Sequence, residues 1–106
     1  MADFLNVSTA TATREQAVIL AESAVRAKLA AGAQIVGPLT SVFWHAGVFG
    51  TGEEYQLLLK TTDAKYSELE AHLVAHHPWD NPEVIGTVIE AGAIPYLAWI
   101  ERTLAD

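Results

Sequence analysis

The spacing of apolar residues switches between a period of two and a period near 3.6 along the chain. Residues 4–9, FLNVST, alternate and predict a first strand. Residues 13–32 predict a helix, because their apolar positions fall on one side at helical spacing. Thr13 and Gln16 have capping-box spacing at its start, and Gly32 is the predicted end. The positions on that side are Val18, Ala21, Val25 and Leu29.

A long β-hairpin is predicted next. Residues 33–47 return to β-type side chains but contain Gly37 and Pro38, which predicts one long strand with a bulge or bend. The glycine-rich GVFGTG, residues 47–52, is the predicted turn, and EEYQLLLKTT is the returning strand. We therefore expect an extended hairpin over residues 39–62.

This hairpin is too long for so small a chain to cover, and its VFW and LLL runs place apolar residues on both faces. An apolar face of that kind is typical of a subunit interface. We expect a partner subunit to cover it, and the predicted interface residues are Val42, Phe43, Trp44, Leu57, Leu58 and Leu59.

The last third of the chain predicts a helix, a strand and a helix. Asp63 is the expected cap of the helix AKYSELEAHLVAHH, and Pro78 ends it. Residues 84–89, VIGTVI, predict a strand, and IPYLAWIERTL predicts a final helix with Pro95 in its first turn. The order β-α-β-β-α-β plus a C-terminal helix predicts an α+β, ferredoxin-like sandwich: an antiparallel sheet with two helices on one face.

Composition restricts the classes of function. The 106 residues fit one domain, 1–106, and the net charge of -7 with few scattered cations argues against binding to nucleic acid or an anionic membrane. Cysteine is absent, which excludes disulfides, thiolate metal cages and cysteine nucleophiles. Half of the residues are apolar, so folding requires no cofactor. We expect no membrane span and a cytoplasmic location, because the start lacks a signal segment.

Five short motifs in order resemble the CutA family of divalent-cation tolerance proteins, over essentially the whole chain. They are KLAAG, SVFWHAG, LLLKT, HHPWDNPE and YLAWI. The resemblance implies a ferredoxin-like fold, similar to PII signalling proteins, assembled as a trimer through the long hairpins. Two positions depart from the family pattern: Gly32 stands where many members have cysteine, and Ser8 stands where some copper-binding bacterial members have one.

The histidines are the candidate metal ligands. The resemblance points to His76 and His77, the pair that those bacterial members use. A further ligand could come from Ser8, His72, Glu83 or Asp80. From spacing alone, His72 and His76 lie one helical turn apart and are close enough to bind one cation. Without a thiolate we expect weak binding of Cu(II) or Zn(II). The alternative is that these histidines are solvated or cap the helix end.

A second candidate site is the cleft between subunits that the resemblance implies, formed by Lys60, Glu83, Tyr96 and Trp99. It would suit a small anion or metabolite. The alternative is a structural ion pair between Lys60 and Glu83. A lysine on an otherwise apolar strand needs either a carboxylate partner or a position at the solvent-exposed edge.

No catalytic motif is present. The chain lacks GxSxG and a P-loop, and Glu53 and Glu54 lie beside the predicted turn, where we expect them to be solvated. We therefore predict a trimeric binding or signalling protein of the cation-tolerance type rather than an enzyme. The alternatives are a structural or interaction scaffold without a physiological metal, and an enzyme acting on a small metabolite at the subunit interface.

Overall fold

The computed structural model describes residues 3–105. The elements are β1 (Phe4–Thr11), α1 (Arg14–Arg26), β2 (Gly32–His45), β3 (Val48–Thr62), α2 (Asp63–His76), β4 (Ile85–Ile89) and α3 (Ile94–Leu104). The four strands form one antiparallel sheet in the order β2-β3-β1-β4. This confirms the predicted α+β, ferredoxin-like architecture with a long central hairpin and an additional C-terminal helix.

The sheet separates two apolar clusters. On one face, alternate residues of β1 and β3 pack against α1 and α2 through Val7, Leu57, Leu20 and Leu69. On the other face, Ile100 and Leu104 of α3 pack with Ala31, near Phe4. The two long helices therefore lie on one side of the sheet, as predicted, and α3 covers part of the other side.

The helix boundaries correct two predictions. Helix α1 begins as expected, because the Thr13 hydroxyl accepts a hydrogen bond from the Gln16 backbone N–H at 3.1 Å. It ends at Arg26 and not at Gly32, since Lys28 adopts a φ of 61°, which no continuing helix allows. Helix α2 is preceded by Thr62 as N-cap, and Asp63 lies in its first turn.

The hairpin turn is shorter than predicted. It consists of Ala46 and Gly47, with φ of 50° and 79°, so the chain reverses over two residues. The prediction of a turn over 47–52 is wrong, because residues 48–52 belong to β3. The predicted irregularity at Gly37 and Pro38 is confirmed by a shift in register between Val36 and Leu39.

The glycines that suggested a turn have another role within the strand. A Cβ on Gly50 would lie 3.2 Å from the Phe43 ring, and one on Gly52 would lie 3.7 Å from it. The absence of these side chains leaves room for the ring over β3. A glycine-rich segment in this chain therefore marks aromatic packing on a strand.

The distal part of the hairpin extends beyond the sheet. Strand β1 pairs with residues 55–62 of β3, so the segment 39–54, here called the arm, is a two-stranded ribbon. The arm gives the chain its long axis of 44 Å, against 25 and 21 Å in the other directions. Trp44 is 73% exposed at its end and meets Phe49 edge to face, with ring centroids 5.6 Å apart.

The predicted interface leucines need a correction. Leu57 and Leu59 have 0% exposure and lie in the chain's own core, so they present no apolar face to a partner. Leu58 points to the other side and is half-buried. The arm has its own exposed apolar residues, Val42, Phe43, Trp44, Val48 and Phe49, and others lie outside it, among them Ile85, Val88 and Ile94. Within residues 3–105, no helix has the length and apolar character to cross a membrane.

Candidate functional site

The site is built from the C-terminal turn of α2 and the neighbouring face of α1. His72 and His76 are one turn apart on α2, and their rings stack with centroids 4.1 Å apart and planes inclined by 25°. This confirms that helical spacing brings the two imidazoles together. Each nitrogen lone pair lies in the plane of its own ring, and the two ring planes are nearly parallel. One ring must therefore rotate before both could bind the same cation.

His76 has one ring nitrogen available. Its Nδ1 lies 2.8 Å from the His72 carbonyl oxygen, which can only accept, so Nδ1 carries the hydrogen. In the neutral imidazole Nε2 is then unprotonated, and the His76 side chain is exposed. The lone pair of Nε2 is free to bind a cation.

His72 is joined to α1. Its Nε2 lies 2.7 Å from the Ser23 hydroxyl oxygen, across 49 residues of sequence. Burial lowers the pKa of His72 below its usual value, and the positive charge that His76 can carry lowers it further. Both effects favour the neutral form of His72, which is the form that binds metals.

His77 has a structural environment. Its ring is 8% exposed; Nε2 donates to the Ala10 carbonyl oxygen at 2.7 Å, and Nδ1 accepts from the Trp79 backbone N–H at 3.0 Å. The ring links the end of α2 to β1 and to the loop after Pro78. Both nitrogens are used within the chain, so a metal at His77 would have to displace one of these bonds.

Two predicted helpers lie away from the histidine pair. Val7 and Thr9 of β1 face the helices, so Ser8 points to the opposite face of the sheet. Glu83 is exposed in the loop before β4. In the part of the chain that the structure describes, no three His, Asp or Glu side chains are grouped to hold a metal ion. A ligand set around His76 and His77 that includes Ser8 or Glu83 stays a prediction.

The cleft residues are partly brought together. The Lys60 ammonium donates to the Asn6 side-chain oxygen at 3.0 Å within the chain. Lys60 pairs with Gly32 across β2 and β3, and the Trp99 ring lies 3.4 Å from where a Gly32 Cβ would stand. Tyr96 and Trp99 have ring centroids 5.4 Å apart on α3. A cleft that includes Glu83 stays a prediction, since it requires a second subunit.

Sequence reasoning missed the contribution of α1. An open groove of about 260 Å³ lies between α1 and the end of α2. Its lining residues are Gln16, Ile19, Leu20, Ser23, His76 and Pro78. The sequence did contain a signal for it: Gln16 and Ser23 lie beside the buried positions of α1. Polar side chains next to a core need hydrogen-bond partners, which indicates a polar contact with another element. Gln16 Oε1 is buried and has no hydrogen-bond partner among the described residues.

The Ser23 and His72 contact has the length of a nucleophile and base pair. Within residues 3–105, however, no carboxylate bonds to the other nitrogen of His72 to orient it. Ser23 also lies in the middle of α1, away from the free N–H groups at the helix start that could stabilise an oxyanion. The geometry does not favour an acyl-transfer site.

Comparison with known proteins gives a consistent result. Residues 5–103 match the family model described as CutA1 divalent ion tolerance protein. A divalent-cation tolerance protein CutA of Escherichia coli is 35% identical over 95 residues, covering 90% of this chain and 80% of that protein. A chloroplastic CutA 1 of Oryza sativa is 37% identical over 87 residues. The chain spans about half the length of the plant relatives it matches.

Solved structures agree with the sequence comparison. The crystal structure of CutA1 from Ehrlichia chaffeensis superposes with a TM-score of 0.93 at 26% identity, covering 99% of this chain and 98% of that one. CutA1 from Oryza sativa superposes with a TM-score of 0.91 at 34% identity, covering 95% and 93% of the two chains. These names describe no enzymatic activity. The chain therefore belongs to the CutA1 divalent ion tolerance protein family.

Proposed function

We propose that this protein acts in divalent-cation tolerance as a homotrimer that binds divalent transition-metal ions weakly. The observation that carries the assembly is the arm, whose exposed apolar side chains have no partner in the described part of the chain that could cover them. An isolated two-stranded ribbon is marginally stable in water. Packing of three arms against one another would bury those side chains and stabilise the ribbon.

The cation part of the proposal is supported by three observations. The E. coli relative is named a divalent-cation tolerance protein. The chain carries a net charge of -7, which attracts cations over the whole surface. His76 presents a free imidazole nitrogen, a ligand suited to Cu(II) and Zn(II) rather than to Mg²⁺ or Ca²⁺.

Light scattering after size-exclusion chromatography tests the assembly. At micromolar concentration we expect a mass about three times that of the 11.4 kDa chain. A mass of one chain would contradict the trimer and any cleft between subunits.

Calorimetric titration with Cu(II) and Zn(II) at pH 7.5 tests cation binding, with Mg²⁺ as the matched control. Equal heats for all three ions would contradict a transition-metal function.

Growth experiments connect binding to tolerance. In a bacterial strain that lacks its own family member, the gene for this chain should raise the copper concentration that stops growth.

A scaffold without a physiological metal predicts the same trimer but no heat on Cu(II) titration. A metabolite enzyme is not favoured, because the described residues show no oriented nucleophile. The cytoplasmic location stays a prediction, and the plant relatives are named chloroplastic.

A further inference from the structure

We propose that the metal ion binds to His72 and His76 together, in the groove between α1 and α2, and not to the adjacent pair His76 and His77. This inference rests on the proposed function and names the site through which it acts. The groove is lined by Ser23 on α1 and by His76 on α2, and the His72 ring contacts both of these residues.

The pair His72 and His76 differs from the pair His76 and His77 in which ring nitrogens are available to bind a metal. His76 Nε2 is unbonded and exposed, while Nδ1 is held by the His72 carbonyl oxygen, which fixes the tautomer and direction of the ring. Metal-binding histidines commonly have their second nitrogen held in this way by a backbone carbonyl. His77 has both nitrogens hydrogen-bonded and its ring buried. The second ligand must therefore come from another residue.

His72 is the residue that can supply it. Its ring already lies against that of His76, with centroids 4.1 Å apart, so rotation of a ring is the change that would direct both nitrogens to one ion. The rotation would exchange the bond between His72 Nε2 and Ser23 for a metal–nitrogen bond. A single neutral hydrogen bond contributes modestly in water, so metal binding can outcompete it.

The remaining coordination positions would be filled by water. The groove of about 260 Å³ is open and large enough for several water molecules. Two imidazoles plus water give a weak site, with Cu(II) bound more tightly than Zn(II).

The test is titration of the full chain with copper(II) chloride at pH 7.5, followed by calorimetry and electron paramagnetic resonance. We expect one Cu(II) per chain and a spectrum that shows two imidazole nitrogens. His72→Gln and His76→Gln should each weaken binding by at least about tenfold. Glu68→Gln is the control, because it changes an exposed side chain of α2 outside both the histidine pair and the arm and should leave affinity unchanged.

Ser23→Ala gives a sharper readout. Removal of the hydroxyl frees His72 Nε2 from its competing bond, so Cu(II) should bind about fivefold more tightly. A purely structural role for the Ser23 and His72 contact would instead leave affinity unchanged or weaken it. Circular dichroism checks that each variant is folded.

The outcomes distinguish this inference from the proposed function. If the wild type binds Cu(II) and His72→Gln binds equally well, the site is wrong and the proposed function stands. If affinity is lost in His77→Gln but not in His72→Gln, the adjacent pair holds the ion. If the folded wild type binds no Cu(II), the cation part of the proposed function fails, and this site fails with it.

Discussion

Gly86 of β4 makes room for the ring of Tyr66 in α2. A Cβ at Gly86 would lie 2.8 Å from the Tyr66 Cε1, closer than carbon atoms approach without displacement. The ring is held in place by the Tyr66 hydroxyl, which donates to Glu70 at 2.9 Å. This contact joins α2 to an edge strand.

Gly86→Ala should lower the free energy of unfolding by about 1–3 kcal/mol through overpacking. Urea denaturation at a fixed chain concentration measures it, since an oligomer's stability depends on concentration. In a Tyr66→Leu background the same substitution should cost less, because the side chain no longer reaches the new methyl group. Equal costs in both backgrounds would show that Tyr66 is not the obstacle.

His72 predicts a pH dependence of stability. Burial holds its pKa in the folded protein below the value of about 6.5 that it has when unfolded. As pH falls through 6.5 the unfolded chain takes up the proton first, so folding loses free energy. The contribution of His72 to the free energy of unfolding is therefore fully present above pH 6.5. It decreases progressively as the pH falls from 6.5 towards the lower pKa that His72 has in the folded protein.

The measurement is the difference in Tm between pH 7.5 and 5.5. His72→Gln should reduce this difference, because the titrating group is gone while a side-chain amide can still bond to Ser23. Glu68→Gln, which changes an exposed titratable side chain of α2 outside the arm, is the control. The explanation fails if His72→Gln and the wild type lose the same number of degrees.

At the scale of elements, the hairpin turn contains a residue in a strained backbone conformation. Ala46 adopts a φ of 50°, which an alanine tolerates poorly, and Gly47 follows with a φ of 79°. Two-residue turns of this hand favour Asn-Gly. The turn joins the two strands of the arm, which pair only with each other, so strain in the turn lowers the stability of the arm.

Ala46→Asn should stabilise the arm by about 1 kcal/mol, because asparagine adopts this backbone region more readily. Amide hydrogen exchange at Phe43 and Gly50 measures it: the rates should fall about fivefold. Gly47→Ala has space for its methyl group but the same positive φ, so exchange should become faster. Unchanged rates in both variants would mean that the turn does not control arm opening.

At the scale of the whole molecule, the arm carries the apolar surface on which the proposed assembly rests. Its exposed aromatic and branched residues lie on both faces of a ribbon that projects from the sheet. An apolar surface of this kind marks an interface in most proteins that carry one. The shape of the single chain is therefore the best argument for assembly.

Trp44→Asp should dissociate the assembly or unfold it, because an unpaired charge buried in an interface costs several kcal/mol. Light scattering reports the mass, and thermal denaturation reports stability. Ala71→Asp adds the same charge at an exposed position of α2, away from the arm, and should change neither. A Trp44→Asp protein with unchanged mass and Tm would place Trp44 outside the interface.

The sequence by itself determined the order and type of the elements. The change of hydrophobic period separates strands from helices, the Thr13 cap begins α1, and Pro78 ends α2 with His77 extended at ψ 141°. These features were predictable because each depends on residues within about one helical turn or one strand. The ferredoxin-like arrangement follows from that order by general rules of connection.

Tertiary structure decided the position of the hairpin turn and the chemistry of the site. Glycines at 50 and 52 make room for Phe43 on the opposite strand, and α1 ends before Lys28, which has a positive φ, and Leu29, which lies in the core. His77 bonds to Ala10, 67 residues away, and His72 bonds to Ser23, 49 residues away. Contacts between residues so distant in sequence leave no local pattern, so only packing of the helices on the sheet shows which histidine keeps a free nitrogen.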